Sequence, residues 1–358
     1  MNQLKGRFPM KAAVLQQYRH FEFQNVPTPE PQKGQVLVKV GYAGICGSDQ
    51  HIFNGDFHPR TRTPFIPGHE FAGTVVATGS DVKHHRVGDR VAVDPIIPCG
   101  KCAACQLGHS PACTSLRLLG VDLDGGFGEY VLADEHMLFK LDNNISERDA
   151  ALVELYSIGF HACKRAEITE NDTTVIWGAG RVGHSILQAV RTKTSNVIIL
   201  VDILDNRLAN IQNHFENVIL VNALRDDPIA VIKEATDGRG VDIAFEAVGH
   251  AHIISERPNP VRGCVQSVRG AGTVCVLGLS DEPVPIVMKE LIWREARIVA
   301  SRVSHGEFSE AIQHLSAGHL KPEAMITAVL PISKAQDAFE ILEKEPDKYL
   351  KILLQIAE

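Results

Sequence analysis

The segment TTVIWGAGRVGHSI, residues 173–186, joins a short apolar run to three closely spaced glycines. The run TTVIW is typical of a buried strand, and Gly178, Gly180 and Gly183 form the pattern G-x-G-x-x-G where a helical pattern starts. The first glycine permits a tight turn, the second lets a pyrophosphate approach the backbone, and the third allows close packing of helix on strand. We therefore predict that this turn binds the pyrophosphate of a dinucleotide.

Residues near this turn indicate which dinucleotide binds. Asp202 ends the next apolar run, NVIILVD, at a position where a carboxylate accepts hydrogen bonds from ribose hydroxyls and repels a 2′-phosphate. The predicted cofactor is therefore NAD rather than NADP. Arg207 follows closely and is the residue that could favour a phosphate instead. Arg181 and Val182, at the start of the predicted helix, complete the predicted pyrophosphate site.

The pattern around the turn predicts the fold class, which is α/β. Beyond about residue 155, apolar runs alternate with helical stretches, as in a parallel sheet covered by helices on both faces. Residues 10–155 instead carry β-branched runs separated by Gly, Pro and Asp, which favour short antiparallel strands. Open α/β sheets bind ligands beyond the carboxyl ends of their strands. Four strand-end residues are therefore expected to line the nicotinamide: Val248, Gly249, Gly278 and Leu279.

Half of the eight cysteines lie in the segment CGKCAACQLGHSPAC, residues 99–113. Two disulfides, a redox pair and a four-sulfur metal site are the alternatives for Cys99, Cys102, Cys105 and Cys113. Two overlapping C-x-x-C pairs in a Gly- and Pro-punctuated loop fit a tetrahedral structural Zn²⁺ better than a redox motif. The other thiols outside the candidate sites are expected to be buried as small apolar side chains: Cys163, Cys264 and Cys275.

Length and charge limit the possible functions. A chain of 358 residues has room for two domains, and its net charge of −7 argues against nucleic acid or an anionic membrane as the partner. No apolar run reaches the length of about 20 residues that spans a bilayer. The N-terminus has no secretory signal pattern, so we expect a cytoplasmic protein in which disulfides are rare. Residues 1–9 carry no recognisable element and are expected to form a flexible leader.

A second set of chemically active side chains is spread over three segments. GYAGICGSDQH contains Cys46, Ser48 and His51, PFIPGHEFAG contains His69 and Glu70, and ALVELYSIGFHAC contains Glu154. A thiolate, an imidazole and carboxylates suit a catalytic zinc that keeps one position open. Each residue taken alone fits a simpler structural role, as a core thiol, a turn histidine or a charge at a helix start.

Taken together and in order, these segments resemble the zinc-dependent branch of the medium-chain dehydrogenase/reductase superfamily, around sorbitol (polyol) and threonine dehydrogenases. The resemblance runs from Met10 to the C-terminus and includes GHEFAGTVVATGSDV, VGDRVAV and GGFGEYV. It implies a GroES-like β-rich catalytic domain around an inserted Rossmann domain, with a homodimer or homotetramer as the assembly. The expected domains are residues 1–155, with the zinc lobe at 99–113, then 156–296 for NAD, with 297–358 returning to the catalytic domain.

The resemblance also implies roles for individual residues. Two zinc ions are expected per chain, a structural one on the four cysteines and a catalytic one near Cys46, His69, Glu70 and Glu154. Which of the two glutamates binds the metal directly stays open. Ser48 matches the proton-relay hydroxyl of the family and His51 its relay histidine, and an Arg at the spacing of Arg207 accompanies NAD.

The expected reaction is the NAD-linked oxidation of a secondary or primary alcohol group to a carbonyl, on a small polyhydroxylated substrate. Arg60 and Arg62 in the loop DFHPRTRTP favour a sugar acid slightly over a neutral polyol, because Arg binds carboxylates well. Arg302 either binds the cofactor or, like Arg60 and Arg62, favours a substrate carboxylate. Two alternatives are a threonine or simple alcohol dehydrogenase and a non-catalytic NAD(P)H-binding relative.

Overall fold

The computed structural model describes residues 9–249 and 259–357. The expected leader lies outside these residues except for Pro9, which begins the first strand. The strands are β1 Pro9–Gln17, β2 His20–Pro27, β3 Gln35–Gly44, β4 Glu70–Thr78, β5 Arg90–Val93, β6 Ile96–Ile97, β7 Arg117–Leu118, β8 Tyr130–Asp134, β9 Leu138–Lys140, β10 Thr174–Trp177, β11 Ile198–Asp202, β12 Val218–Asn222, β13 Val241–Glu246, β14 Val268–Val276, β15 Arg297–Ala300, β16 Ile326–Pro331 and β17 Lys351–Gln355.

The helices alternate with strands mainly in the middle of the chain. The α-helices are α1 Gly47–Asn54, α2 Ala103–Gln106, α3 Glu147–Ala150, α4 Val153–Ala166, α5 Arg181–Arg191, α6 Asp205–His214, α7 Pro228–Ala235, α8 Pro260–Ser267, α9 Met288–Ile292, α10 Phe308–Ser316 and α11 Ala335–Lys344. The described residues also contain four single-turn 3₁₀ helices: Ser110–Ala112, Glu135–Met137, Pro322–Ala324 and Ile332–Lys334.

The chain forms two compact units. One comprises the described residues of 1–154, 311–316 and 326–358, and the other those of 155–310 and 317–325. The first is built on a mainly antiparallel sheet of order β16-β17-β3-β4-β5-β9, with β8 also paired to β3. The expected boundaries at 155/156 and 296/297 stay predictions.

The second unit has a parallel sheet of order β12-β11-β10-β13-β14-β15. Strands β10 and β11 are mainly apolar and are buried along their whole length, as expected of strands covered on both faces. Their side chains form one buried core with residues such as Val175, Ile199 and Val274. The strand order reverses between β10 and β13, which is the point where dinucleotides bind in Rossmann folds. The predicted fold class, a β-rich domain with a Rossmann domain, is therefore confirmed.

Three thiols away from the candidate sites take the positions expected of small apolar residues. Cys163, Cys264 and Cys275 are fully buried, and burial raises the pKa of each thiol. They are therefore inert packing residues.

Among the described residues, no helix combines the length and apolar character that crossing a membrane requires.

Candidate metal and cofactor sites

The four clustered cysteines bring their sulfurs together in the loop between β6 and β7. The Sγ atoms of Cys99, Cys102, Cys105 and Cys113 lie within 4.8 Å of one another. The backbone N–H of Cys102 donates to Sγ of Cys99 at 3.4 Å, and that of Cys99 to Sγ of Cys113 at 3.3 Å. All eight cysteines are free thiols, so the disulfide alternative has no support.

The distance between two of these sulfurs and the pKa values of their thiols fit a bound divalent cation. Sγ of Cys102 lies 3.6 Å from Sγ of Cys105, and a tetrahedron with Zn–S bonds of about 2.3 Å has an edge of about 3.8 Å. Hydrogen bonds from the backbone of Cys105 and Thr114 lower the pKa of Cys102 to about 6. Burial and the bond with Cys102 raise the pKa of Cys105 to about 12. Neighbouring thiols repel one another when all of them ionise, and a bound metal ion offsets this repulsion by binding the thiolates.

Replacing Cys102 with serine is expected to remove one zinc ion per chain and to lower the melting temperature by about 5 °C or more. The three remaining thiolates cannot close a tetrahedral site, so the loop loses its cross-link. Metal analysis and thermal unfolding measure both effects. The control is Lys101→Ser, at an exposed neighbour. Full metal content and unchanged stability in Cys102→Ser would return these cysteines to the redox alternative.

A second cluster forms where α1 begins. The backbone N–H of Cys46, the residue before this helix, donates to Oδ2 of Asp49 at 2.8 Å. Potential ligand atoms of Cys46, His69 and Glu70 lie within 4.8 Å of one another. Three protein ligands of this type leave a fourth position for a substrate oxygen, which is the arrangement of catalytic zinc sites. The donor set therefore fits zinc chemistry.

Asp49 orients the histidine of this cluster. Its Oδ1 lies 3.3 Å from Nδ1 of His69, and both residues are buried. Burial acts to lower the pKa of His69, but the charges of Asp49 and Cys46 outweigh it and hold that pKa well above its usual value. Metal-binding histidines commonly donate their other ring N–H to a carboxylate. Sequence analysis gave Asp49 no role, although an Asp three residues after a helix cap is a recognisable signal.

A buried lysine holds Glu70. Lys351 and Glu70 are fully buried, and Nζ of Lys351 lies 2.8 Å from Oε1 and 2.5 Å from Oε2. Strand β3 separates their strands, and its last residue Gly44 leaves space, because a Cβ there would lie 2.3 Å from Oε2 of Glu70. Sequence analysis missed Lys351, whose only signal was a charge at the start of the apolar run KILLQIA.

Glu154 lies in the first turn of α4 and is 4% exposed. Burial is the main cause that raises its pKa to about 8, with the nearby charge of Glu70 adding to the rise. His69 and Lys351 act in the opposite direction. Glu154 is not among the three residues whose ligand atoms lie within 4.8 Å of one another. It is thus an electrostatic neighbour of the cluster, and its contact with a metal stays a prediction.

The two predicted relay residues occupy different surroundings on α1. Oγ of Ser48 lies 3.2 Å from Nε2 of His69, inside the cluster. His51 is exposed, with Nδ1 2.8 Å from Oδ2 of Asp56 and its ring stacked on Phe57. Ser48 is therefore placed to exchange a proton at the cluster, whereas His51 is placed to exchange one with solvent.

The glycine-rich turn joins β10 to α5 as predicted. Gly178 has φ +106°, and a Cβ on Gly183 would lie 1.8 Å from the carbonyl oxygen of Gly178, so both positions require glycine. Oδ2 of Asp202 accepts the backbone N–H of Ala179 at 2.6 Å. Nη1 of Arg207 lies 3.7 Å from the same oxygen. The half-buried residues Arg181 and Val182 begin α5 behind Gly180.

The residues expected to line the nicotinamide follow two adjacent strands. Val248 and Gly249 follow β13, and Gly278 and Leu279 follow β14. A Cβ on Gly278 would lie 2.2 Å from the backbone nitrogen of Gly249, so the two loops are in contact. Leu279 is 84% exposed, and Arg302 is exposed in the loop after β15.

Arg60, one of the residues expected to favour a sugar acid, is paired with a carboxylate of the chain itself. The guanidinium of Arg60 binds both carboxylate oxygens of Asp122, with Nε at 2.9 Å from Oδ1 and Nη2 at 2.7 Å from Oδ2. This pair raises the pKa of Arg60 and lowers that of Asp122. A guanidinium that already forms a bidentate pair is less available to bind a substrate carboxylate. Arg62 is exposed.

The chain is similar to several dehydrogenases of known sequence or structure. A sorbitol dehydrogenase of Bacillus subtilis is 32% identical over 349 residues, which cover 96% of this chain and 97% of the relative. A solved structure from E. coli CFT073, described as a short chain alcohol dehydrogenase complexed with NADH, is 31% identical with a TM-score of 0.87, covering 98% of this chain and 100% of that one. A putative zinc-binding dehydrogenase from Sinorhizobium meliloti, solved with NADP, is 27% identical with a TM-score of 0.87, covering 98% and 100%.

Family models cover most of the chain. Residues 32–143 match the alcohol dehydrogenase GroES-like domain, and residues 182–317 match the zinc-binding dehydrogenase family. These matches confirm the predicted resemblance, and with it zinc and a nicotinamide dinucleotide as the cofactors of this kind of enzyme. The chain therefore belongs to the zinc-binding alcohol dehydrogenase family of the medium-chain dehydrogenases and is an oxidoreductase.

Proposed function

We propose that this protein oxidises one alcohol group of a polyhydroxylated substrate to a carbonyl, with zinc and NAD. The proposal is carried by the buried cluster of Cys46, His69 and Glu70, in which Asp49 holds one ring nitrogen of the histidine. With Nδ1 directed to Asp49, Nε2 is the atom left to bind a metal. Zinc bound at such a site supplies Lewis-acid stabilisation of the alkoxide.

The chain's own residues then handle the proton. Ser48 has its hydroxyl at the cluster, 3.2 Å from Nε2 of His69, where it accepts the proton of a substrate hydroxyl as it releases its own proton towards His51. His51 lies three residues further along α1 and carries the proton to solvent, because its ring is exposed and an imidazole can both accept and donate a proton. Asp56 orients His51 through its hydrogen bond to Nδ1.

The second unit provides the cofactor site. The N-terminus of α5 and the glycine-rich turn bind the pyrophosphate. Asp202 favours the ribose hydroxyls of NAD, and its proximity to Arg207 reduces the ability of that arginine to attract a 2′-phosphate. The nicotinamide supplies the hydride acceptor. Val248, Gly249, Gly278, Leu279 and Arg302 are proposed to surround its end of the cofactor.

The substrate class follows from the donor set and from Arg60. A cluster with several carboxylates resembles that of polyol dehydrogenases, and a sorbitol dehydrogenase is a close relative in length and sequence. The pairing of Arg60 with Asp122 favours a neutral polyol over a sugar acid as the substrate. Threonine and simple alcohols are the remaining candidates.

A substrate panel tests this proposal. Polyols, aldonates, threonine and short alcohols are mixed with NAD or NADP, and reduced cofactor is followed by absorbance. We expect turnover to be fastest with a polyol, and NAD to exceed NADP in kcat/KM by about tenfold or more. Faster turnover with an aldonate would show that the substrate is a sugar acid. Equal efficiency with NADP would show that Arg207 outweighs Asp202, and no turnover would favour a non-catalytic relative.

We also propose that the protein is a homo-oligomer that uses the exposed edge of the parallel sheet. Within the described residues, β15 is an edge strand, and large apolar side chains near it are exposed: Met288, Ile292, Trp293 and Ile298. An exposed apolar edge strand is a template for pairing with another chain, here a second copy. Trp293→Glu is expected to lower the mass measured by light scattering, whereas Leu107→Glu, at an 84% exposed apolar control, leaves it unchanged. A monomeric wild type would contradict this.

A further inference from the structure

Glu246 is a buried carboxylate that the proposed reaction does not use. It ends β13, next to the point where the strand order of the parallel sheet reverses, and it is 2% exposed. A buried carboxylate is costly unless it accepts hydrogen bonds. Its role is therefore given by the groups that surround its two oxygens.

Both oxygens of Glu246 accept backbone N–H groups, and they do so from two different loops. Oε1 accepts from Val248 at 2.8 Å and from Gly249 at 3.0 Å. Oε2 accepts from Gly278 at 3.2 Å. The first two belong to the loop after β13 and the third to the loop after β14, so one carboxylate ties the two loops together.

The packing around this carboxylate leaves no space for adjustment. A Cβ on Gly278 would lie 2.4 Å from Oε2 of Glu246 and 2.2 Å from the backbone nitrogen of Gly249. Gly249 has φ +75°, a conformation that glycine adopts at little cost. Glycines on both loops thus allow the approach that lets a single side chain contact both.

We propose that Glu246 is a positioning residue that fixes the two loops around the nicotinamide half of the cofactor. The inference rests on the proposed function, since it assumes that a dinucleotide spans the strand-order reversal with its adenosine half at Asp202. Glu246 contacts neither the glycine-rich turn nor Asp202 in any described hydrogen bond. Its effect should therefore be confined to the nicotinamide half.

Glu246→Gln tests this role without a change of size. An amide can still accept from Val248 and Gly249, but its NH₂ then faces the N–H of Gly278, which places two donors against each other. We expect the dissociation constant for NADH to rise about tenfold, and that for ADP-ribose, which lacks the nicotinamide, to change less than about twofold. Both constants are measured by calorimetry. The control is Asp242→Asn, a carboxylate on the same strand that accepts from Thr173, for which neither constant should change.

Gly278→Ala provides an independent test if Glu246→Gln does not fold. Its methyl group pushes the loop after β14 off the carboxylate, so it should also weaken the binding of NADH more than that of ADP-ribose. Gly270→Ala, on β14 itself, places its methyl group in open space and should weaken neither. Equal weakening of both ligands, or no weakening in either variant, would overturn the role of Glu246 while leaving the proposed function intact. A wild type that binds neither ligand would overturn both.

Discussion

Replacing Cys46 with serine lowers kcat/KM by on the order of 1,000-fold, while the affinity for NADH stays within about twofold of wild type. The hydroxyl of serine is a far poorer zinc ligand than a thiolate, so the cluster with His69 and Glu70 loses its strongest donor. The glycine-rich turn and Asp202 belong to the other compact unit and keep their hydrogen bonds. Steady-state kinetics and NADH titration measure the two effects separately.

Cys275→Ser is the matched control. This thiol is buried on β14, and its sulfur lies 3.8 Å from the carbonyl oxygen of Ala162, to which a serine hydroxyl can donate. We expect activity close to wild type in this variant. If Cys46→Ser lost activity and NADH affinity in parallel, the proposal that the metal cluster and the cofactor site act separately would be wrong.

Lys351→Met is expected to reduce the free energy of unfolding by about 3–5 kcal/mol, because it removes the cation that pairs with the buried carboxylate of Glu70. The side chains of both residues are fully buried, so water cannot replace the lost charge. For a unit of this size the melting temperature should fall by about 10 °C. Thermal unfolding followed by circular dichroism measures the change.

Two further variants separate this effect from loss of a lysine in general. Lys348→Met removes an exposed lysine that is paired with Glu345, and it should change stability by less than about 1 kcal/mol. The double variant Lys351→Met with Glu70→Gln removes both buried charges and should regain much of the loss. A Lys351→Met protein as stable as Lys348→Met would show that the buried pair contributes little.

Local sequence patterns predicted the parts of the sites that are close in sequence. The glycine-rich turn and the four-cysteine loop each lie within about fifteen residues, so the spacing alone constrains which groups meet. The burial of Cys275 could also be predicted locally, because it lies in the apolar run GTVCVLGL.

Pairs that are distant in sequence could not be predicted in this way. Lys351 and Glu70 are separated by 281 positions and meet only because β3 lies between their strands. Arg60 and Asp122 are 62 positions apart, so the sequence around Arg60 gave no sign that a carboxylate of the chain pairs with it. Such contacts depend on strand order, which a single sequence does not encode locally.

The zinc content of the purified protein shows whether both clusters bind a metal ion. Elemental analysis of wild type, Cys46→Ser and Cys102→Ser counts the metal at each cluster separately. We expect two zinc ions per chain in wild type and one in each variant, since each substitution breaks one set of ligands. A single zinc in wild type that Cys102→Ser removes and Cys46→Ser leaves in place would contradict it, because no metal would remain for the alcohol.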